Sequence, residues 1–348
     1  MKILITGNMG YVGSVLVKHL KQQNKDIEII GYDAGYFAHC LTNADFLPEK
    51  NVSTQYFGDL RNFDERILNG IDSVVHLAAI SNDPIGNEFS EVTDIINYKT
   101  TIRLAELSIK YGIKNFVYAS SCSIYGSAEG GAKKENDSLN PLTAYAHSKV
   151  NSEKGLSKID SKNMCITSLR FSTACGMSDR LRLDLVLNDF VASALLTKNI
   201  TVLSDGSPWR PLINVKDMAR AIEWASKRSI DNGGKILNVN VGSDIWNYQV
   251  KDLAEAVANR IPGTEININK DALPDKRSYR VDFTLYHSLA KDFLPKVSLN
   301  ETIDELIEGI NNTIIENVEF RNSNFIRFNV LKGLISKNIL SKDLLWLN

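Results

Sequence analysis

The stretch TAYAHSK (143–149) sets Tyr145 and Lys149 four positions apart where a helix is expected to start. Four residues is about one helical turn, so the two side chains share a face. A phenol beside an ammonium is a way to make a base. A free tyrosine, with a pKa of about 10, takes few protons at neutral pH. A lysine ammonium roughly 5 Å away, at an effective dielectric near 20, favours the phenolate by about 3 kcal/mol, or roughly two pKa units. Such a base can take the proton of a carbinol while its hydride leaves for an acceptor. By itself the pair is a weak signal, because 12 tyrosines and 26 lysines in 348 residues give about one Tyr-x-x-x-Lys by chance. The rest of the chain must supply the acceptor.

TGNMGYVG (6–13) follows a strand pattern and opens a helix pattern. Its spacing is G-x-x-G-x-x-G, which lets a pyrophosphate reach a helix N-terminus where free N–H groups and the dipole favour an anion. Gly7, Gly10, Tyr11, Val12 and Gly13 are the residues expected at that turn. Asp33 ends the second strand twenty residues after Gly13, where a carboxylate holds adenosine ribose hydroxyls and repels a 2′-phosphate. Ala34 and Gly35 add no cation to offset that repulsion, so the expected cofactor is NAD. GDLRN (58–62) follows the third strand and offers Asp59 and Leu60 to the adenine. HLAAIS (76–81) ends the fourth with Leu77, Ala78 and Ala79, small enough in sum for a dinucleotide to approach the backbone; His76 reads as a core histidine.

These groups need a rigid frame, and the pattern supplies one. Strand runs at 2–6, 27–33, 53–57, 72–78, 115–121 and 165–171 alternate with helical runs at 11–23, 92–112 and from about 144. Continuous apolar strands separated by helices read as a doubly wound parallel sheet of the α/β class. Beyond residue 175 helical runs near 185–198, 216–229, 249–261 and 301–316 alternate with stretches that read as binding loops, 204–212 and 271–280. The expected organisation is a dinucleotide-binding domain (1–175, with about 204–245 returning to it), a substrate lobe (176–317) and a helical tail (318–348). A formal charge of −1 and 43% hydrophobic residues argue against a nucleic-acid partner. The apolar runs are too short for a membrane span, and the first residues enter a strand directly without a signal-peptide pattern. Four cysteines without CxxC or metal-ligand spacing point to a reduced cytoplasmic enzyme with no metal.

Taken in order, TGNMGYVG, Asp33, GDLRN, HLAAIS, ASSCSIYG (119–126) and YAHSK (145–149) resemble the extended short-chain dehydrogenase/reductase family, the nucleotide-sugar epimerases and dehydratases. The resemblance covers roughly residues 1–315. It implies a Rossmann-type domain with a smaller C-terminal substrate domain, a base at Tyr145, and Lys149 also holding the nicotinamide ribose. Counting back four from Tyr125 reaches Ser121, the position the family fills with Ser or Thr to orient the substrate oxygen; Ser120 and Ser123 compete for the role. Cys122 reads as a packed thiol rather than a nucleophile, and stands among the residues near the substrate. The family's 4,6-dehydratases carry Asp-Glu where this chain has Cys122 and Ser123, so dehydration is disfavoured.

In the second half, LRFSTACG (169–176) resembles the segment where Phe171 flanks the nicotinamide. An asparagine common in 4-epimerases is here Thr173, and an epimerase arginine three positions before Asp275 is Ala272. Planar guanidinium forks suit diphosphate oxygens, which singles out Arg210 in PWRPLINVKD and Arg277 in PDKRSYRVD. Ser81, Asn82 and Asn188 are further substrate candidates, whereas Arg182 and Arg280 read as solvated. The segment 325–347 is an apolar, basic tail past the usual family end, expected to pack on its own lobe. The resemblance also implies a homodimer through helices at 92–112 and 144–160. The expected activity is epimerisation at C4 of a nucleotide-diphosphate sugar through a transient ketone. A 4-dehydrogenase or 4-ketoreductase is the alternative, and a catalytically idle NAD-binding protein is the reading from another class.

Overall fold

Strand β1 (Lys2–Thr6) buries Ile3, Leu4 and Ile5 completely, as a parallel strand covered on both faces must. The computed structural model describes residues 1–42, 46–81, 83–128, 130–269, 271–272, 277–313 and 319–347. After β1 the chain forms α1 (Tyr11–Gln23), β2 (Glu28–Asp33), β3 (Thr54–Phe57) and β4 (Ser73–His76). The short helices α2 (Asp83–Glu88) and α3 (Ser90–Asp94) follow, then α4 (Thr100–Lys110), β5 (Asn115–Ser121), α5 (Ala144–Leu156) and β6 (Cys165–Phe171). A π turn at Ile95–Lys99 joins α3 to α4.

The second half supplies β7 (Thr173–Cys175), α6 (Val186–Thr197), β8 (Asn199–Val202), β9 (Trp209–Asn214), α7 (Val215–Lys227) and β10 (Ile236–Val241). It continues with β11 (Asn247–Gln249), α8 (Val250–Arg260), β12 (Glu265–Ile268), α9 (Thr284–Leu289), α10 (Leu299–Asn311) and α11 (Arg327–Ser336). The central sheet runs β10-β6-β5-β4-β1-β2-β3, with parallel pairing throughout. Strand order reverses between β1 and β4, so a crevice opens at their carboxyl ends. Leu16 and Leu20 of α1 and Trp224 of α7 pack one face, while Leu104 of α4 and Leu156 of α5 pack the other. Truncating such a leucine to alanine costs about 2–5 kcal/mol, enough to loosen the crevice walls. Because β10 belongs to this sheet and α7 packs on it, the second half of the chain is threaded through the first domain.

The remaining elements build a smaller lobe over the crevice: a β11-β9-β7 sheet, a β12-β8 pair, and α6, α8 and α10 around Phe190, Leu253 and Leu306. Two expectations are corrected here. Residues 204–212 read as a loop, yet Trp209–Asn214 is a strand between β11 and β7. Proline argues against a strand interior because it lacks a donor, but in so short a ladder the absence of one N–H at Pro211 is tolerated. The tail reads as helical throughout, yet among its described residues the α-helix is Arg327–Ser336, preceded by a short helical turn at Phe320–Asn322. Asn338, at φ 54°, turns the chain left-handed, and Leu340 then bridges to Trp346. Among the described residues, no helix is long and apolar enough to cross a membrane.

Candidate active site

Gly7 sits at φ +77°, and a Cβ there would lie 2.6 Å from the Ala78 nitrogen. A Cβ on Gly13 would lie 2.5 Å from the Gly7 carbonyl oxygen. Only glycine lets the β1 turn, the end of β4 and the start of α1 come this close. Gly10 caps α1 without any side-chain hydrogen bond, which leaves the first helical N–H groups facing the crevice. Gly7, Gly10, Tyr11, Val12, Gly13, Leu60, Leu77, Ala78 and Ala79 all line one cleft of ≈ 1380 Å³. That exceeds the ~300–1,000 Å³ of a single small-molecule pocket and leaves room for two extended ligands.

At the β2 end of the cleft, Asp33 accepts hydrogen bonds from the backbone N–H of Met9 (3.0 Å) and of Gly35 (2.8 Å). Burial raises its pKa, and those two bonds oppose the rise. Asp59 is held by Arg61, at 2.9 Å from Nε and 2.5 Å from Nη2. Arg61 is thus committed to Asp59, and Arg180, whose charge reaches Asp33, is paired with Glu49. The Asp33 carboxylate is expected to repel a 2′-phosphate. The enzyme is expected to bind NAD(H) at least tenfold tighter than NADP(H), about 1.4 kcal/mol, and Asp33→Ser should erode the preference. Equal affinities of the unmutated protein in calorimetry would refute the ribose role of Asp33. His76 is a buried core residue, between Thr6 Oγ1 (2.7 Å) and Thr101 Oγ1 (2.9 Å), and burial lowers its pKa to about 3.

Helix α5 starts at Thr143, whose hydroxyl accepts from Ala146 N (3.2 Å) and donates to Asp83 (2.7 Å). The cap fixes where Tyr145 emerges. One turn on, Lys149 Nζ donates to the Ala119 carbonyl at 2.6 Å and lies 5.4 Å from the Tyr145 ring centre. Burial lowers the Lys149 pKa to about 7, with Glu153 opposing. Burial likewise pushes Tyr145 up to about 12, while its hydrogen bond with Ser121 and the charge of Arg182 pull it down. Of the three competing serines, Ser120 donates to Glu153 (2.5 Å), a carboxylate locked to Arg170 beneath the helix. Ser121, at the end of β5, is the serine bonded to Tyr145.

Phe171, Thr173, Ser81, Arg210 and Arg277 also line the cleft. Arg210 donates to its own Trp209 carbonyl (3.0 Å), and Arg277 donates to Asp83 (2.8 Å). Two expected substrate residues lie elsewhere. Cys122 is buried behind the cleft wall, its thiol donating to the Arg170 carbonyl (3.1 Å), and burial pushes its pKa well up. Asn188 is wholly buried, where it accepts from Gly176 N (3.0 Å) and donates to the Arg182 carbonyl (2.9 Å). Asn82 falls outside the described residues.

Arg182, read from the sequence as solvated, lines the cleft instead. It forks onto Asp184 (2.8 and 3.1 Å) and donates to Ser81 (3.1 Å). Asn97 belongs to none of the sequence motifs. From the π turn it brackets Ile80, accepting from its N–H (2.8 Å) and donating to its carbonyl (2.9 Å), and it donates to Ser148 of α5 (3.0 Å). This buried amide ties the β4 loop to the helix that carries Tyr145. An asparagine in an otherwise amphipathic run was the available signal.

A parallel sheet that reverses at a glycine turn, with Tyr145, Lys149 and Ser121 gathered across the crevice, defines a dinucleotide-dependent enzyme of the Rossmann type. Residues 3–242 match the model of the NAD dependent epimerase/dehydratase family, and the chain belongs to that family, within the extended short-chain dehydrogenase/reductases. Its cofactor is NAD. One relative is "Uncharacterized UDP-glucose epimerase YtcB" of Bacillus subtilis, 33% identical over 231 residues, 64% of this chain and 71% of that protein. The UDP-glucose 4-epimerase of Thermotoga maritima, solved with UDP-glucose, superposes with a TM-score of 0.75 at 23% identity, covering 89% of this chain and 99% of that one. TunA, an NAD-dependent NDP-hexosamine 5,6-dehydratase of tunicamycin biosynthesis, has a TM-score of 0.78 at 21% identity, covering 91% and 99%. At these identities the two structures speak for the fold alone.

Proposed function

We propose that this enzyme epimerises C4 of a nucleotide-diphosphate sugar through a transient 4-keto sugar. Tyr145 takes the C4 hydroxyl proton and gives a proton back to that same oxygen, inversion coming from the return of hydride to C4 on the opposite face. Ser121 bonds the same oxygen and holds it toward the base. Lys149 lowers the phenol's pKa and holds the nicotinamide ribose, and Arg210 meets the sugar's diphosphate. When bound, NAD supplies the acceptor for the C4 hydride.

The carrying observation is the state of the cleft's carboxylates. Elimination of water needs a second acid–base group beside the tyrosine. Among the described residues, every carboxylate that lines the cleft has partners. Asp33 holds backbone N–H groups, Asp59 holds Arg61, and Asp83 is shared by Thr143 and Arg277. Asp184 holds Arg182, and Asp189 holds Arg321. At Cys122 and Ser123 there is a buried thiol and a hydroxyl. Redox chemistry at one carbon therefore fits better than dehydration, and the name of the Bacillus relative agrees.

Thr173, in place of the asparagine of many 4-epimerases, favours a second reading, a 4-dehydrogenase or 4-ketoreductase. A single experiment separates them: a nucleotide-sugar panel is added to NAD-loaded enzyme while nicotinamide absorbance and product stereochemistry are followed. An epimer with no lasting NADH is expected. Stoichiometric, persistent NADH without epimer would transfer the assignment to the dehydrogenase. A homodimer through α4 and α5 belongs to the same proposal, and a monomer in light scattering at micromolar concentration would remove it.

A further inference from the structure

Arg327, at the start of α11, is 2% exposed, yet it lines the same cleft as Gly10, Asp33 and Arg182. Its guanidinium donates to three carbonyls: Asn324 (2.8 Å), Arg180 (2.8 Å) and Leu181 (3.1 Å). It also lies 5.2 Å from the centre of the Phe37 ring. Among the described residues no carboxylate pairs with it. The neighbouring arginines are each neutralised, Arg180 by Glu49 (2.8 Å) and Arg182 by Asp184 (2.8 Å). Among the described residues, Arg327 is therefore the arginine of this cluster that no carboxylate pairs. An uncompensated charge in the interior is costly, and burial lowers the Arg327 pKa to about 10.

We infer that Arg327 binds a diphosphate in the cleft, making the C-terminal tail part of the nucleotide site. The tail is fastened in a way that suits this role. Trp346 Nε1 donates to the Ala34 carbonyl (2.7 Å), and Arg61 donates to the carbonyls of Asp343 (2.7 Å) and Leu344 (2.9 Å). The Tyr36 hydroxyl donates to Leu344 as well. Leu331, Leu340 and Leu344 pack with Tyr36, Ile80, Ile85, Val92 and Ile96 beside the β2 and β4 loops. The segment after the family-matched region thus grips the rim of the dinucleotide crevice at residues 34–36 and 61 and holds Arg327 inward. A guanidinium fork matches phosphate oxygens and stays charged at this depth. Both NAD and a nucleotide-diphosphate sugar carry that group, so the inference rests on the cofactor and substrate readings above.

The test is Arg327→Gln, which keeps a hydrogen-bonding amide near the position of the arginine Nε but carries no charge. Affinities are measured by calorimetry for NAD alone, and then at saturating NAD for whichever of UDP, dTDP, GDP or CDP the unmutated protein binds. Loss of one charge-assisted contact weakens binding roughly ten- to a hundredfold. A loss confined to NAD assigns the cofactor diphosphate, and a loss confined to the nucleoside diphosphate assigns the substrate's. Unchanged affinity for both, in a variant with unchanged melting, overturns the inference. Should the unmutated protein bind none of these ligands, the nucleotide reading itself fails. A second measurement covers a variant that does not fold. In unmutated protein labelled with ¹⁵N-arginine, the Arg327 Nε–H resonance, assigned by its disappearance in Arg327→Lys, must shift on adding ligand. A resonance that stays put with both ligands also overturns the inference.

Discussion

Tyr145→Phe is expected to cost at least a hundredfold in turnover while melting temperature and NAD affinity stay close to those of the unmutated enzyme. The substitution deletes one oxygen. General acid–base catalysis by a positioned group contributes about 10²–10⁴-fold, and among the described residues every carboxylate lining the cleft already has partners. The carboxylates nearest the phenol are engaged: Asp83 with Thr143 and Arg277, Asp184 with Arg182. The fold should not notice, because Thr143 caps α5 through its own hydroxyl and the Tyr145 backbone and Cβ pack on Gly86. The phenol itself is in an uphill position, burial having pushed it to about 12. Its hydrogen bond with Ser121 and the charge of Arg182 pull it down, and the proposed role of Lys149 is to add to that pull when ligands fill the cleft. Single-turnover kinetics of the variant decide the matter: near-normal rates would remove Tyr145 as the base.

Lys149→Met is expected to do two opposite things, stabilising the cofactor-free protein while weakening NAD binding and turnover at least tenfold. Lys149 titrates near 7 when folded and near its ordinary 10.5 when unfolded. Between those values the unfolded chain binds more protons, so stability rises with pH across that window. The penalty is complete below pH 7 and disappears above about 10.5. Removing the ammonium removes the penalty. Against it stands the lost hydrogen bond to Ala119, worth about 0.5–1.5 kcal/mol. Desolvating an ammonium costs several kcal/mol, so the net effect is stabilising. Melting of both proteins without cofactor, from pH 6 to 10, should show a higher and flatter curve for the methionine variant. A lower melting temperature at pH 7 would show that the carbonyl contact outweighs the buried charge. Function loses because methionine cannot hold a ribose hydroxyl or stabilise a phenolate.

The features that could be read without coordinates are those set by local spacing. Gly7 and Gly13 are required by contacts within one strand–turn–helix unit and its neighbouring strand end. Asp33 falls at the end of a strand whose length its apolar run determines. Tyr145 and Lys149 share a face because a helix repeats every 3.6 residues, and the continuous apolar runs at 2–6, 115–121 and 165–171 could only be covered strands. Cys122 is the packed thiol that the sequence suggests, but it opens the short helical turn after β5 and faces away from the cleft, as Asn188 does in the first turn of α6. In both turns the direction of a side chain is set by packing from distant elements, which local pattern does not carry.

Arg182 shows what such reasoning cannot reach. Its partner Asp184 is two residues away, but its burial depends on Ser81, a hundred and one positions earlier. Arg327 depends on carbonyls nearly a hundred and fifty positions before it. Pattern alone says that α11 has an apolar face, not which surface receives it; the receiving surface is assembled from Tyr36, Ile80, Ile85, Val92 and Ile96. The chain's own order of residues determined the doubly wound sheet, the glycine turn and the tyrosine–lysine pair, because each follows from steric and periodic rules acting over one or two elements. Which arginines are solvated and which face a ligand was decided only by tertiary packing, because the environment of a charge is set by groups brought together from across the chain.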